Sequence, residues 1–186
     1  MEAQMKATKR NYFGTFGRLV VALMLLFACL ALVPASAPEP LVVFLVRHAE
    51  KVLDGSSDPQ LTPMGKERAQ LLSILLRDSS IEQVHSSNFV RTRDTARPAA
   101  ATLKLEVQQY DARDLEALVG ELKKEGGRHL VVGHSNTTPD VVRLLGGKPG
   151  SPIVEADEYD RLYVVTIGSD GEVSTVLLRY GRPPAG

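Results

Sequence analysis

Two histidines and two arginines stand where their side chains could act as one group. Arg47 and His48 close one apolar run, residues 41–46 (LVVFLV), and His134 closes another, residues 129–133 (HLVVG). Short apolar runs cut off by charge read as strands buried on both faces, as in parallel sheets. Open α/β sheets hold their ligands beyond the carboxyl ends of such strands. Two such strands lying side by side would bring His48 and His134 to one edge, with Arg47 beside them. Residues 86–96 (SSNFVRTRDTA) follow a third strand and can add Arg91 or Arg93. Arginine offers planar, bidentate donors to phosphate oxygens, and a neutral imidazole is a nucleophile or base near neutral pH. The set fits a phosphoryl group.

The elements that must position these residues alternate along the chain. After the first strand, residues 52–60 (VLDGSSDPQ) have the composition of a loop. Thr62 and Pro63 open an amphipathic helix to Arg77, with Ala69, Leu72, Leu75 and Leu76 at helical spacing. A strand over 81–87 leads to a helix over 89–102, which Pro98 should kink or interrupt. A short strand is expected at 105–107, and a helix over 111–124 that stops at Gly126-Gly127. Asn136 to Pro139 opens a helix directly after His134. Strands at 162–167 and 173–178 form a hairpin around Ser169-Asp170-Gly171. This alternation predicts an α/β fold with three layers, α/β/α, around a mostly parallel central sheet.

On these residues the sequence resembles the histidine phosphatase superfamily, also called phosphoglycerate mutase-like. Val46-Arg47-His48-Ala49-Glu50 resembles its RHG or RHA motif, and Asp58-x-x-Leu61-Thr62-x-x-Gly65 the segment that usually follows. Ser86-Ser87-x-x-x-Arg91-x-x-x-Thr95-Ala96 is similar to its second arginine motif, and Gly133-His134-Ser135 to its second histidine motif. The resemblance implies that His48 attacks phosphorus and becomes phosphohistidine, which water then hydrolyses. It further implies that Arg47, Arg91 and His134 surround the phosphoryl oxygens, with no metal or other cofactor. His85 and His129 lie outside the motifs and are expected to be structural or exposed. Arg93 and Arg97 read as a solvated helix face.

The proton donor to the leaving group is not marked by a motif. Some branches place an aspartate directly after the second histidine, where this chain has Ser135. Mutase-like branches take a glutamate from the preceding segment, which here offers Asp111, Asp114 and Glu116; Asp111 is preferred, and Glu50 is a further candidate. Asp54 stands near the place of a phosphate-binding asparagine, where a carboxylate would repel phosphate. The acidic cluster Glu155-Ala156-Asp157-Glu158 reads as a solvated loop.

Residues 1–37 differ from the rest. Lys6, Lys9, Arg10 and Arg18 precede or open an uncharged run at 19–33, and Ala35-Ser36-Ala37 fits a cleavage site. That pattern predicts a secretory signal ahead of a single domain, 38–186, that is periplasmic or secreted. The alternative is an uncleaved anchor, the one route by which the protein would touch a membrane; the run is short against the ~20 residues of a spanning helix. The single cysteine, Cys29, lies in this segment, so the body has no disulfide or thiolate nucleophile. Equal numbers of basic and acidic residues, 22 of each, give no sign of a nucleic-acid partner. The expected partner is a small phosphorylated substrate, and export favours a cell-envelope sugar phosphate. Phosphohistidine in a protein and non-catalytic binding of phosphate or glycan are the alternatives.

Overall fold

The computed structural model describes residues 39–184, so the expected export segment lies outside the described residues. Leu41–Arg47 forms β1, and all seven residues are buried. Its valines and phenylalanine favour the extended chain, and burial on both faces explains the unbroken apolar run. Five further strands follow: β2 Gln83–Ser87, β3 Val107–Tyr110, β4 Arg128–Gly133, β5 Arg161–Ile167 and β6 Val173–Arg179. They form one sheet in the order β3-β2-β4-β1-β5-β6. The first four strands of that order are parallel, while β5 and β6 run antiparallel as a hairpin at the edge.

Four helices cover the sheet: α1 Pro63–Leu76, α2 Val90–Leu103, α3 Leu115–Glu125 and α4 Thr137–Leu144. Alternate residues of β1 feed two separate cores. Val42, Phe44 and Val46 join Leu72 and Leu76 of α1 and Ala96, Ala99 and Ala100 of α2. Leu41, Val43 and Leu45 join Leu118 and Leu122 of α3 and Val141 and Val142 of α4. Two helices therefore lie on each face, which makes the three layers.

Two boundaries differ from expectation. Pro98 does not interrupt α2, which runs through it. Buried Ala96, Ala99 and Ala100 hold the helix to the core, and the Ser73 hydroxyl of α1 donates to the Pro98 carbonyl (3.0 Å). That packing outweighs the single N–H that proline cannot supply. The helix expected from residue 111 begins instead at Leu115, because Asp114 is its N-cap and accepts from the Ala117 N–H (3.0 Å). Residues 105–110 shift in turn, with the strand at Val107–Tyr110. Among the described residues no helix is long and apolar enough to cross a membrane.

Candidate active site

In the β1–β4 ladder Val46 lies opposite Val132 and Arg47 opposite Gly133. The His48 N–H extends the ladder by donating to the Gly133 carbonyl (2.9 Å). His48 and His134 thus leave adjacent strands at one level, with ring centroids 5.5 Å apart. β2 flanks β4 on its other side and hands the chain to α2, which carries Arg91. Gly133 is required by crowding: a Cβ there would come within 2.9 Å of Thr137 Oγ1 and 3.0 Å of Tyr110 Oη. The second histidine motif needs its glycine for that reason.

His48 is 2% exposed, and its Nδ1 lies 2.8 Å from the Ala49 carbonyl. A carbonyl only accepts, so Nδ1 carries the proton and Nε2 keeps its lone pair. Burial, aided by the charges of Arg47 and Arg91, holds the pKa down to about 3. The ring is neutral, in one tautomer. The Ala49 N–H in turn donates to Thr95 Oγ1 (2.9 Å), whose hydroxyl donates to the Arg91 carbonyl (2.8 Å). The threonine of the arginine motif is therefore the tie between α2 and the backbone that orients His48.

His134 is held by the Ser87 hydroxyl (Nε2 to Oγ, 2.9 Å) and stands edge-on to Phe89, at 5.1 Å. Burial and the nearby Arg91 charge lower its pKa to about 4. An arriving phosphoryl anion would reverse that field and favour the imidazolium. Arg91 lies over the Phe89 ring at 4.3 Å, touches Asp58 at 3.5 Å, and has a buried Nε without a partner. Arg47 is 1% exposed and lies 4.0 Å over the Tyr159 ring. Its terminal nitrogens donate to the Glu155 carbonyl (2.8 Å) and the Glu158 carbonyl (3.0 Å), while its Nε has no partner. Two buried guanidinium N–H groups are thus left for an anion. Arg47 does two jobs, since most of its donors fasten the loop around residues 154–158.

Other residues weighed from sequence do not join this group. Glu50 accepts three hydrogen bonds from Arg68 (2.8–3.0 Å), a guanidinium that also donates to the carbonyls of Tyr180 and Arg182. It anchors α1 and the C-terminal residues and is not a free acid. Asp111 is corrected for a related reason: it is exposed and takes two bonds from the Arg113 guanidinium (2.9 and 3.0 Å). Those bonds, with one from the Arg113 N–H, hold its pKa down to about 2. Glu116 is exposed, and Asp54 caps the local turn through the Ser56 N–H (2.9 Å). Arg93 bonds Asn88 and Arg97 bonds Asp94. His85 and His129 are buried and bonded to each other (3.1 Å).

Glu155, which the sequence places in a solvated acidic loop, does join the group. Its carboxylate pairs with Arg47 (2.9 Å) and Lys51 (3.4 Å) and accepts from the Ser135 hydroxyl, at the mouth of the histidine pair. The only signal for it was Ser135 standing where a relative would carry an acid. An open cleft of about 760 Å³ lies at the opposite edge of the sheet beside Leu41, Gly126 and Gly127 and holds none of these groups.

The family model of the histidine phosphatase superfamily (branch 1) matches residues 43–123. A probable phosphoglycerate mutase, GpmB, of Photorhabdus laumondii is 30% identical over 130 residues, 67% of this chain and 59% of that protein. The chain belongs to the histidine phosphatase superfamily. The GpmB of Salmonella paratyphi A is 33% identical over 124 residues, covering 58% of this chain and 55% of that protein. The chain thus spans a little over half the length of these curated relatives. Among solved structures, the superfamily domain is similar to the protein histidine phosphatase SixA complexed with tungstate, at a TM-score of 0.60 and 22% identity, over 75% of this chain and 97% of that one. It is also similar to phosphoglycerate mutase from Bacillus anthracis, at 0.59 and 15%, over 76% of this chain and 94% of that one. At these identities the likeness is one of fold.

Proposed function

We propose that the chain is a phosphatase that hydrolyses a phosphomonoester or similar phosphoryl group through a phosphohistidine on His48. One observation carries the reading. The bond from Nδ1 to the Ala49 carbonyl leaves His48 Nε2 unprotonated, on the edge shared with His134, Arg47 and Arg91. Nε2 attacks phosphorus, and the leaving oxygen departs with the P–O electron pair. Water then attacks the phosphohistidine and returns the electron pair to Nε2. In both steps charge gathers on the phosphoryl oxygens, where Arg47 Nε, Arg91 Nε and His134 can meet it. These donors neutralise the group without a metal.

Hydrolysis is preferred to mutase chemistry because the mouth is open: the Glu155 and Asp58 side chains are 58% and 37% exposed there. An open mouth lets the alcohol leave and water enter, whereas a mutase must retain its intermediate. The basic and apolar pattern of residues 1–37 supports an exported enzyme, and with it a cell-envelope sugar phosphate as substrate. Protein-bound phosphohistidine is a second substrate class, favoured by the likeness of fold to SixA.

Brief exposure of the purified protein to labelled p-nitrophenyl phosphate, with chelator present, tests the reading. An acid-labile, alkali-stable protein label that His48→Ala lacks is expected. Absence of both label and turnover would leave a non-catalytic phosphate binder.

A further inference from the structure

The geometry points to Glu155 as the group that hands a proton to the departing oxygen, with Ser135 holding it in position. This rests on the phosphatase reading above. Where some branches carry an aspartate after the second histidine, this chain has a serine, and that serine's hydroxyl donates to a carboxylate from a distant loop. The acid therefore reaches the same place from another part of the chain. Arg47 (2.9 Å) and Lys51 (3.4 Å) fix it from the other side, and its charge acts on both His134 and Arg91.

The loop that presents Glu155 is rigidly fastened. The buried Glu158 carboxylate accepts from the Val154 N–H (2.9 Å), from Arg161 Nε and Nη2 (2.7 and 2.9 Å) and from Arg179 (2.7 Å). Arg161 also donates to the Ser151 and Pro152 carbonyls and to the Tyr163 hydroxyl. A donor held this way needs no rearrangement at the moment of reaction. Glu50 is bonded to Arg68, Asp111 to Arg113, and Asp58 to the Val90 N–H (2.9 Å); none of them is bonded to the residue after the second histidine.

The proton comes with the substrate. In the free protein burial disfavours ionised Glu155, but the Ser135 hydroxyl, Arg47 and Lys51 outweigh it and keep the carboxylate charged. A phosphomonoester has a second pKa of about 6 and arrives partly as its monoanion. Phosphoryl oxygens and the carboxylate then compete for one set of cations, and two anions so close share a proton. Glu155 takes it. As the His48 Nε2–P bond forms and the P–O bond breaks, the electron pair goes to the leaving oxygen, which takes the proton from Glu155. The carboxylate so formed removes a proton from the water that attacks phosphohistidine, and is ready again.

The test compares two aryl esters of the same ring, by kcat/KM, which covers binding and phosphoryl transfer to His48 and leaves out hydrolysis of the intermediate. Phenyl phosphate releases a phenolate whose conjugate acid has a pKa of about 10, so it needs a proton. The 2,4-dinitrophenolate leaves without one. Glu155→Gln should lower kcat/KM on phenyl phosphate by about 10²–10³-fold and on the dinitrophenyl ester by less than about threefold. Ser135→Ala should show the same selectivity at about tenfold, the mark of a positioning residue. Thermal melting checks that both variants fold; Glu155 is 58% exposed and carries no core packing. Equal losses on both esters would overturn the assignment, as would a gain on either, which would make Glu155 a barrier at the mouth. A wild-type protein that turns over neither ester and takes no label on His48 would overturn the phosphatase reading itself, and the assignment with it.

Discussion

Two pairs of histidines sit on neighbouring strands of this sheet, and their difference separates the pair proposed to react from a structural one. His48 and His134 leave β1 and β4 at their carboxyl ends; His85 and His129 lie on β2 and β4 within the sheet. The ring centroids are similarly spaced, 5.5 Å and 5.3 Å. Burial lowers the pKa in both places, to about 3 for His48 and about 4 for His134 and His85. Neither proximity nor a lowered pKa distinguishes them. Bonding does. His129 Nε2 lies 2.6 Å from the Gly126 carbonyl, so it donates there, and its Nδ1 accepts from His85 Nε2. The link between those two rings is internally satisfied. In the other pair one ring nitrogen of His48 is tied to a carbonyl, and the second makes no hydrogen bond among the described residues.

Substitution should separate the pairs most sharply in turnover. His48→Ala is expected to lower kcat on phenyl phosphate by at least about 10⁴-fold, while His85→Gln, which keeps an N–H for His129, changes it by less than about threefold. Comparable losses would break the distinction.

Acid should sharpen it next, through stability. His85 titrates near 6.5 unfolded but about 4 folded, so between those values the unfolded chain binds more protons. Its contribution is whole above pH 6.5 and lost as pH falls toward 4. Denaturant unfolding at pH 7 and pH 4 should show His85→Gln losing about 3 kcal/mol less than wild type. Parallel losses would mean that His85 is not the group responsible.

The smallest effect concerns the tie behind His48. Thr95→Val removes the acceptor of the Ala49 N–H and should cost about 1–2 kcal/mol in unfolding free energy. A several-fold lower kcat/KM at unchanged substrate affinity should accompany it. Unaltered turnover would show that Ala49 holds the His48 tautomer without help.

The reactive pair was legible in the sequence because its logic is local. Apolar runs that stop at Arg47-His48 and at His134 fix both strand ends, and crowding at Gly65 and Gly133 explains the glycines of two motifs. A Cβ on Gly65 would stand 2.3 Å from the Glu50 carbonyl. Pro98 was misread because a local propensity yielded to packing between α1 and α2. The helix start lies at Asp114, which leaves Asp111 in a turn beside Arg113, a pairing the helical spacing did not indicate. Glu50 looked like an acid beside the nucleophile, but its partner Arg68 lies one helix away. Glu155 was least legible, since its contacts with Arg47 arise only when a loop more than a hundred residues later folds across the end of β1. Spacing carries no record of such a contact.

The position of β1 has a consequence for how the protein comes to be. It is the first strand of the sheet in the sequence, yet Val42 lies between Arg128 of β4 and Thr166 of β5, both far downstream. Joining such distant segments carries a large loop-closure entropy, and folds ruled by such pairings form slowly. The strand that carries the proposed nucleophile is therefore flanked on both sides only when nearly the whole domain has been assembled. Catalytic competence becomes a late event in folding, and recovery of turnover after dilution from denaturant is a clock for the final pairing of the sheet.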